Sequence, residues 1–173
     1  MNLKSISKKI RKTILNTIYT AKTGHIGGSL SCVDILISLY FGKHLKFDPK
    51  KPKLKDRDRL IVSKGHATAA YYSVLAHLGF IKISELQTYC RNNTRLATHL
   101  SGSVPGVEFD TGSLGHGLGI ACGLAYSAKI DKKKYKVFAL ISDGELYEGS
   151  VWEALLFASH YKLNNLIIIV DRN

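Results

Sequence analysis

Residues 137–173, VFALISDGELYEGSVWEALLFASHYKLNNLIIIVDRN, allow few arrangements. An apolar run from Val137 to Ile141 ends in a polar turn. A stretch from about Gly149 to His160 then carries helix-spaced apolar residues, and a second apolar run extends from Leu166 to Val170. Two short apolar runs on either side of an amphipathic helix read as a βαβ unit. The strands of such a unit lie parallel and its crossover is almost always right-handed, so the residues just past both strand ends open onto one crevice. The expected class is therefore α/β, with a mostly parallel sheet flanked by helices.

Asp143 and Asn173 occupy those two strand-end positions. One oxygen from each, together with phosphate oxygens and water, suits Mg²⁺, a hard ion that takes octahedral oxygen ligands and is commonly shared between one or two carboxylates and a phosphate; Ca²⁺ also takes oxygen ligands. Gly144 lets the backbone come close to a ligand, and the free N–H groups at the start of the following helix favour an anion. An Asp-Gly pair alone marks only a turn, and an Asn at a strand end only a cap. The order of residues elsewhere in the chain separates these readings.

Asp143-Gly144, then Glu148, Gly149 and Glu153, then Asn173 at 173 − 143 = 30 positions after the aspartate, resemble the thiamine diphosphate motif of the transketolase family. Gly106-Val107-Glu108, followed by Thr111-Gly112-Ser113-Leu114-Gly115-His116-Gly117, is similar to a second motif of that family, with His116 in place of its glutamine. Glycines at 112, 115, 117, 119 and 123 each weaken a helix by up to about 1 kcal/mol relative to alanine, so something must require close backbone approach there. The resemblance implies that Gly112, Ser113 and Leu114 reach the cofactor through their main chain and that the glycine-dotted helix packs tightly against a neighbouring element.

Three histidines match in register. His25 lies in the glycine-dense loop Thr23-Gly24-His25-Ile26-Gly27-Gly28-Ser29, which is similar to the family's Ser-Gly-His loop with Thr23 where Ser is common; it corresponds to the donor-sugar histidine. His66, in Lys64-Gly65-His66 after the apolar strand Leu60 to Ser63, corresponds to the family histidine that contacts cofactor diphosphate and substrate. Its position past a strand end aims it into the same crevice as Asp143. His99 matches a third active-site histidine, although Leu100, Ser101 and Gly102 depart from the common Pro-Glu. A neutral imidazole can donate one hydrogen bond to a phosphate oxygen or sugar hydroxyl and can carry a proton near neutral pH.

The remaining segments read as scaffold. Ile6, Ile10, Ile14 and Ile18 stand four apart, which makes Leu3 to Lys22 an amphipathic helix. Ser31 with Asp34 is spaced as a capping box for a helix from Cys32 to Phe41, and Ser84 with Gln87 as another. Trp152 is expected in the core or at an interface.

The net charge of +12 concentrates in two lysine runs, Lys50 to Lys55 and Lys129 to Lys136. Neither interleaves aromatics for base stacking, and both fall in loops or at a helix C-terminus, so no nucleic acid partner is expected. Three cysteines, Cys32, Cys90 and Cys122, form no CxxC pair, which argues against a disulfide framework or a structural zinc site. No apolar run is long enough to span a bilayer. A chain of 173 residues can bury one sizeable core, and one cytoplasmic domain with no membrane association is expected.

The resemblance implies a thiamine diphosphate-binding fold over residues 1–173. It also implies transfer of a two-carbon ketol unit between sugar phosphates by a transketolase-type transferase of carbohydrate metabolism. No counterpart of the family's pyrimidine-binding domain is expected within residues 1–173. Glu148 and Glu153 match carboxylates of an interface proton network, and Glu148 at a helix start is also a favourable dipole charge. Ser142 replaces the first glycine of the usual Gly-Asp-Gly. The chain ends on an apolar strand, so the fold is expected to be C-terminally incomplete, in the manner of a truncated N-terminal subunit of a split transketolase. Its expected partner is a C-terminal subunit carrying the pyrimidine domain, in a dimer or heterotetramer. A non-catalytic remnant or interaction subunit of the same fold is the alternative reading.

Overall fold

A computed structural model of the chain describes residues 2–172, which form two compact units. The first unit holds Met1–Pro52 and His66–Asp110, and the second holds Lys53–Gly65 and Thr111–Asn173.

The first unit is helical. Helix α1 (Leu3–Ala21) starts where the Asn2 side chain accepts from the N–H of Lys4 at 3.0 Å and stops at Lys22, whose φ of 56° leaves the helical region. The isoleucine stripe faces inward, with Ile10, Ile14 and Ile18 buried against α3 (Val33–Phe41) and α4 (Thr68–Leu78). Helix α4 is buried continuously from Thr68 to Ala76, as expected of a central helix that is apolar on every side. Tyr71 on α4 donates to the carbonyl of Gly106 at 2.8 Å, so Tyr40 on α3 is the donor in the 2.8 Å hydroxyl pair between the two tyrosines.

Two expected caps are absent. Instead of one helix from Cys32 to Phe41, a short helix α2 (Ile26–Ser31) runs into α3 through Cys32 alone, and no side chain caps α3. Ser31 donates back to the carbonyl of Gly28 at 3.3 Å. Asp34 is drawn to α1 instead, accepting from Ser7 at 2.6 Å and from the Arg11 guanidinium at 2.9 Å. Charged and hydroxyl donors on a neighbouring helix outcompete a local backbone bond. Ser84 and Gln87 form no capping box either: Ile83–Thr88 is a 3₁₀ segment with no side-chain cap, and Leu86 alone among its residues is buried, too little apolar surface to hold a full α-helix.

The second unit is a three-stranded parallel sheet, order β1-β2-β3, formed by Arg59–Val62, Val137–Ser142 and Leu166–Asp171. Every residue of β2 is buried, which is why its sequence shows an unbroken apolar run and not an alternation. Helix α5 (Gly117–Ile130) packs on the sheet and α6 (Gly149–His160) packs on α5. Ile61, Ala139, Ile141, Leu118, Ala121, Cys122, Val151 and Ala154 form their shared core. Trp152 is not in it. The face of α6 that is buried is defined by Val151 and Ala154, three residues apart; the indole lies on another side, 56% exposed, with its Nε1 donating to the Leu146 carbonyl at 2.8 Å. Among the described residues no helix is long and apolar enough to cross a membrane.

Candidate functional site

The parallel register sets the carboxyl edge of the sheet. Ser142 stands opposite Asp171, and the N–H of Asp143 donates to the Asp171 carbonyl at 3.2 Å, so Asp143 sits just past the ends of β2 and β3. Asn173, the other expected metal ligand, lies outside the described residues. Asp143 uses one oxygen to accept the N–H of Gly144 at 2.9 Å, and its other oxygen has no protein partner among the described residues. Nothing stands within 4 Å of where a Cβ on Gly144 would be. An acidic oxygen beside bare backbone fits a hard divalent cation shared with phosphate. Among the described residues no cluster of three or more His, Cys, Asp or Glu is arranged to hold a metal, so such an ion would depend on oxygens from a bound anion.

The loop Thr111–Gly115 is fastened to the same edge. Thr111 donates its hydroxyl to the carbonyl of Val62, the last residue of β1, at 3.0 Å. Gly65 and Gly112 touch backbone to backbone, since a Cβ on Gly65 would lie 2.8 Å from the Gly112 nitrogen. Ser113 and Leu114 are exposed and Gly112 is half-buried, so a ligand can reach this stretch. Of the glycines that follow, Gly117 meets the expectation of tight packing, because a Cβ there would fall 2.5 Å from the Ser63 side chain. Gly119 and Gly123 do not: they face open space on α5, in a groove that also borders Glu153, Ala154 and Phe157 of α6. Glu148 is the residue before α6 and Glu153 lies on its second turn, both exposed.

The signal that sequence reading missed is Glu145. Its carboxylate is fully buried and accepts from Ser63 Oγ, from the N–H of Gly115 at 2.9 Å, and from the N–H and Oγ of Ser142 at 2.8 and 3.1 Å. A buried ion pair was missed as well: Lys64, just past β1, meets Asp171 at the end of β3.

The helical unit brings the three histidines together. The rings of His25 and His66 have centroids 5.8 Å apart, and those of His25 and His99 are 6.3 Å apart. His25 and His99 are exposed and His66 is half-buried. His25 follows Gly24, whose φ of +133° turns the chain in a way that side-chain-bearing residues rarely adopt. The His99 loop is tied to α4, where Thr68 donates to the Thr98 carbonyl at 2.7 Å and Tyr72 donates to the His99 carbonyl at 3.4 Å. Burial pushes the Tyr72 phenol up to about 12, so it stays protonated and able to donate. Three imidazoles gathered at one surface can hydrogen-bond a polyhydroxylated or phosphorylated ligand and exchange protons with it.

Residues 3–173 match the model of the family described as transketolase, thiamine diphosphate binding domain. The chain is 46% identical over 167 residues to an apulose-4-phosphate transketolase subunit of Phocaeicola vulgatus, covering 96% of this chain and 59% of that protein. It is 48% identical over 164 residues to the protein of the same name from Actinobacillus succinogenes, covering 94% and 59%. The transketolase of Campylobacter jejuni superposes on it with a TM-score of 0.93 at 35% identity, over 98% of this chain and 28% of that one. The chain thus spans little more than half the length of the first two relatives. A match running almost from end to end places this chain in the transketolase family as a thiamine diphosphate-binding domain.

Proposed function

We propose that this chain is the N-terminal component of a thiamine diphosphate-dependent transketolase, working with a partner chain that carries the pyrimidine domain to move a two-carbon ketol unit between sugar phosphates. The reading is supported by the carboxyl edge of the sheet, where the exposed Ser113 and Leu114, the bare backbone of Gly144 and an Asp143 oxygen without a protein partner among the described residues are presented. Asp143 and Asn173 would hold Mg²⁺ or Ca²⁺, and Gly112, Ser113 and Leu114 would hold the cofactor's diphosphate through backbone N–H groups, with Gly144 letting it come close to the backbone. His66 would contact both diphosphate and substrate. When bound, thiamine diphosphate supplies a carbon nucleophile and an electron sink for cleaving a carbon–carbon bond next to a carbonyl.

The chain's own residues do the rest. His25, His66 and His99 hold sugar hydroxyls by their imidazole nitrogens, fixing the substrate's orientation and taking or returning a hydroxyl proton as the bond is made or broken. The partner seats on the exposed side of α6 and α5. That side carries Glu148 and Glu153, the apolar Trp152 and Leu156 at 56% and 72% exposure, and the uncovered Gly119 and Gly123, a combination of apolar and carboxylate surface that suits an interface.

Isothermal titration of thiamine diphosphate with Mg²⁺, and separately with Ca²⁺, in the presence and absence of a candidate pyrimidine-domain chain tests the reading. Saturable, metal-dependent binding that Asp143→Ala abolishes is expected. Absence of binding under every condition would favour a non-catalytic subunit of the same fold.

A further inference from the structure

We infer that Glu145 is a positioning residue that fixes the cofactor loop against the metal-binding strand end before any ligand arrives. The inference deepens the proposed function and rests on it. Glu145 is fully buried, and its two oxygens take four donors: Ser63 Oγ and the N–H of Gly115 on Oε1, the N–H and Oγ of Ser142 on Oε2. Four donors on two oxygens match the acceptor capacity of a carboxylate.

The donors come from three separate segments, and two of these adjoin candidate ligand-binding groups. Ser142 precedes Asp143. Gly115 follows Gly112, Ser113 and Leu114. Ser63 directly follows Val62, the last residue of β1, and its hydroxyl oxygen also accepts the N–H of Gly117, the first residue of α5, at 3.1 Å. One carboxylate therefore sets the distance between the loop whose main chain is offered to diphosphate and the aspartate offered to the metal. Its own position is fixed at short range, since Glu145 lies in the 3₁₀ turn Gly144–Tyr147 directly after Asp143. A site with phosphate and metal parts needs those parts at a defined separation, and misplacement of a supporting group loosens the site without touching a ligand.

Glutamine has the size of glutamate but turns one acceptor into a donor, so Glu145→Gln sets an amide NH₂ against the N–H groups and hydroxyls that the carboxylate accepts from. The full protein with its partner is titrated with thiamine diphosphate and Mg²⁺, and amide hydrogen exchange is followed in the same protein without cofactor. Glu145→Gln is expected to weaken binding about tenfold or more, in line with the loss of a supporting contact at a metal site. It should also raise exchange selectively at Gly115 and Ser142. Ser63→Ala, which keeps the carboxylate and removes one donor, is expected to weaken binding about fivefold. Val137→Ala, a core truncation at the far end of β2, controls for lost stability and should leave both readouts unchanged. If the unsubstituted protein binds and Glu145→Gln binds within twofold of it, the inference fails alone. If the unsubstituted protein does not bind, the functional reading fails and the inference with it.

Discussion

A Cβ added at Gly28 would lie 2.2 Å from Cδ2 of His66, so the imidazole occupies space that only glycine leaves bare. Glycine at this position of α2 therefore sets where the His66 ring can stand, and through the 5.8 Å contact between rings it bears on His25 as well. Gly28→Ala must displace the ring. Because near-angstrom misplacement of an orienting group can cost about a hundredfold in rate, turnover of the assembled enzyme should fall by roughly that factor while the helical circular dichroism signal persists. Gly27, with nothing within 4 Å of its would-be Cβ, supplies the control: Gly27→Ala should keep its activity. Full turnover in Gly28→Ala would remove His66 from the reaction.

Lys64 and Asp171 form a buried ion pair between the end of β1 and the end of β3, with side-chain exposures of 2% and 6%. Removing one partner takes this counterion from the other, buried charge. Lys64→Met should therefore lower unfolding stability in urea by about 3–5 kcal/mol, whereas replacing both partners with apolar residues should recover much of that loss. A double variant as unstable as the single one would show that the pair contributes attraction beyond what its desolvation costs.

The strands and long helices were legible because burial writes itself locally into sequence. β2 is covered on both faces and so reads as an unbroken apolar run, and the Ile10, Ile14, Ile18 stripe of α1 repeats at the helical period. The expected histidines came from a different signal: His25 and His66 lie in segments whose residue order resembles the family's, and His99 matches in register while Leu100, Ser101 and Gly102 depart from the pattern. Glu145 and the Lys64–Asp171 pair were not legible. Ser63 lies 82 residues from Glu145 and Asp171 lies 107 from Lys64, and nothing in the neighbourhood of a charged residue beside a glycine announces a burial that only the sheet creates. The Ser31 cap failed on the same account, since Asp34 found its partners on α1.

His77 on α4 is half-buried and paired with Thr13 of α1 at 2.9 Å. Burial, with Lys9 adding repulsion, holds its folded-state pKa below the ordinary 6.5. In the window between that depressed value and 6.5 the unfolded chain binds more protons than the folded one, so stability is fully present above about 6.5 and is lost as pH falls through the folded value. The urea midpoint should decline over this interval, and His77→Gln should flatten that part of the profile. An unchanged slope in the variant would assign the acid sensitivity to other groups.

Gly117 and Gly123 lie on one helix and predict opposite outcomes. A Cβ at Gly117 would press into Ser63 at 2.5 Å, so Gly117→Ala overpacks the sheet edge and should cost about 1–3 kcal/mol, read as a lower urea midpoint. At Gly123 the space is open, and an alanine inside a helix is favoured over glycine by up to about 1 kcal/mol, so Gly123→Ala should stabilise the chain on its own. If the partner covers the α5 and α6 face, the same methyl group intrudes on the contact. Affinity for the pyrimidine-domain chain should then drop even as the unfolding midpoint rises. Undiminished affinity would place the partner elsewhere, because helix propensity alone gives no reason to leave two glycines on the outer side of α5.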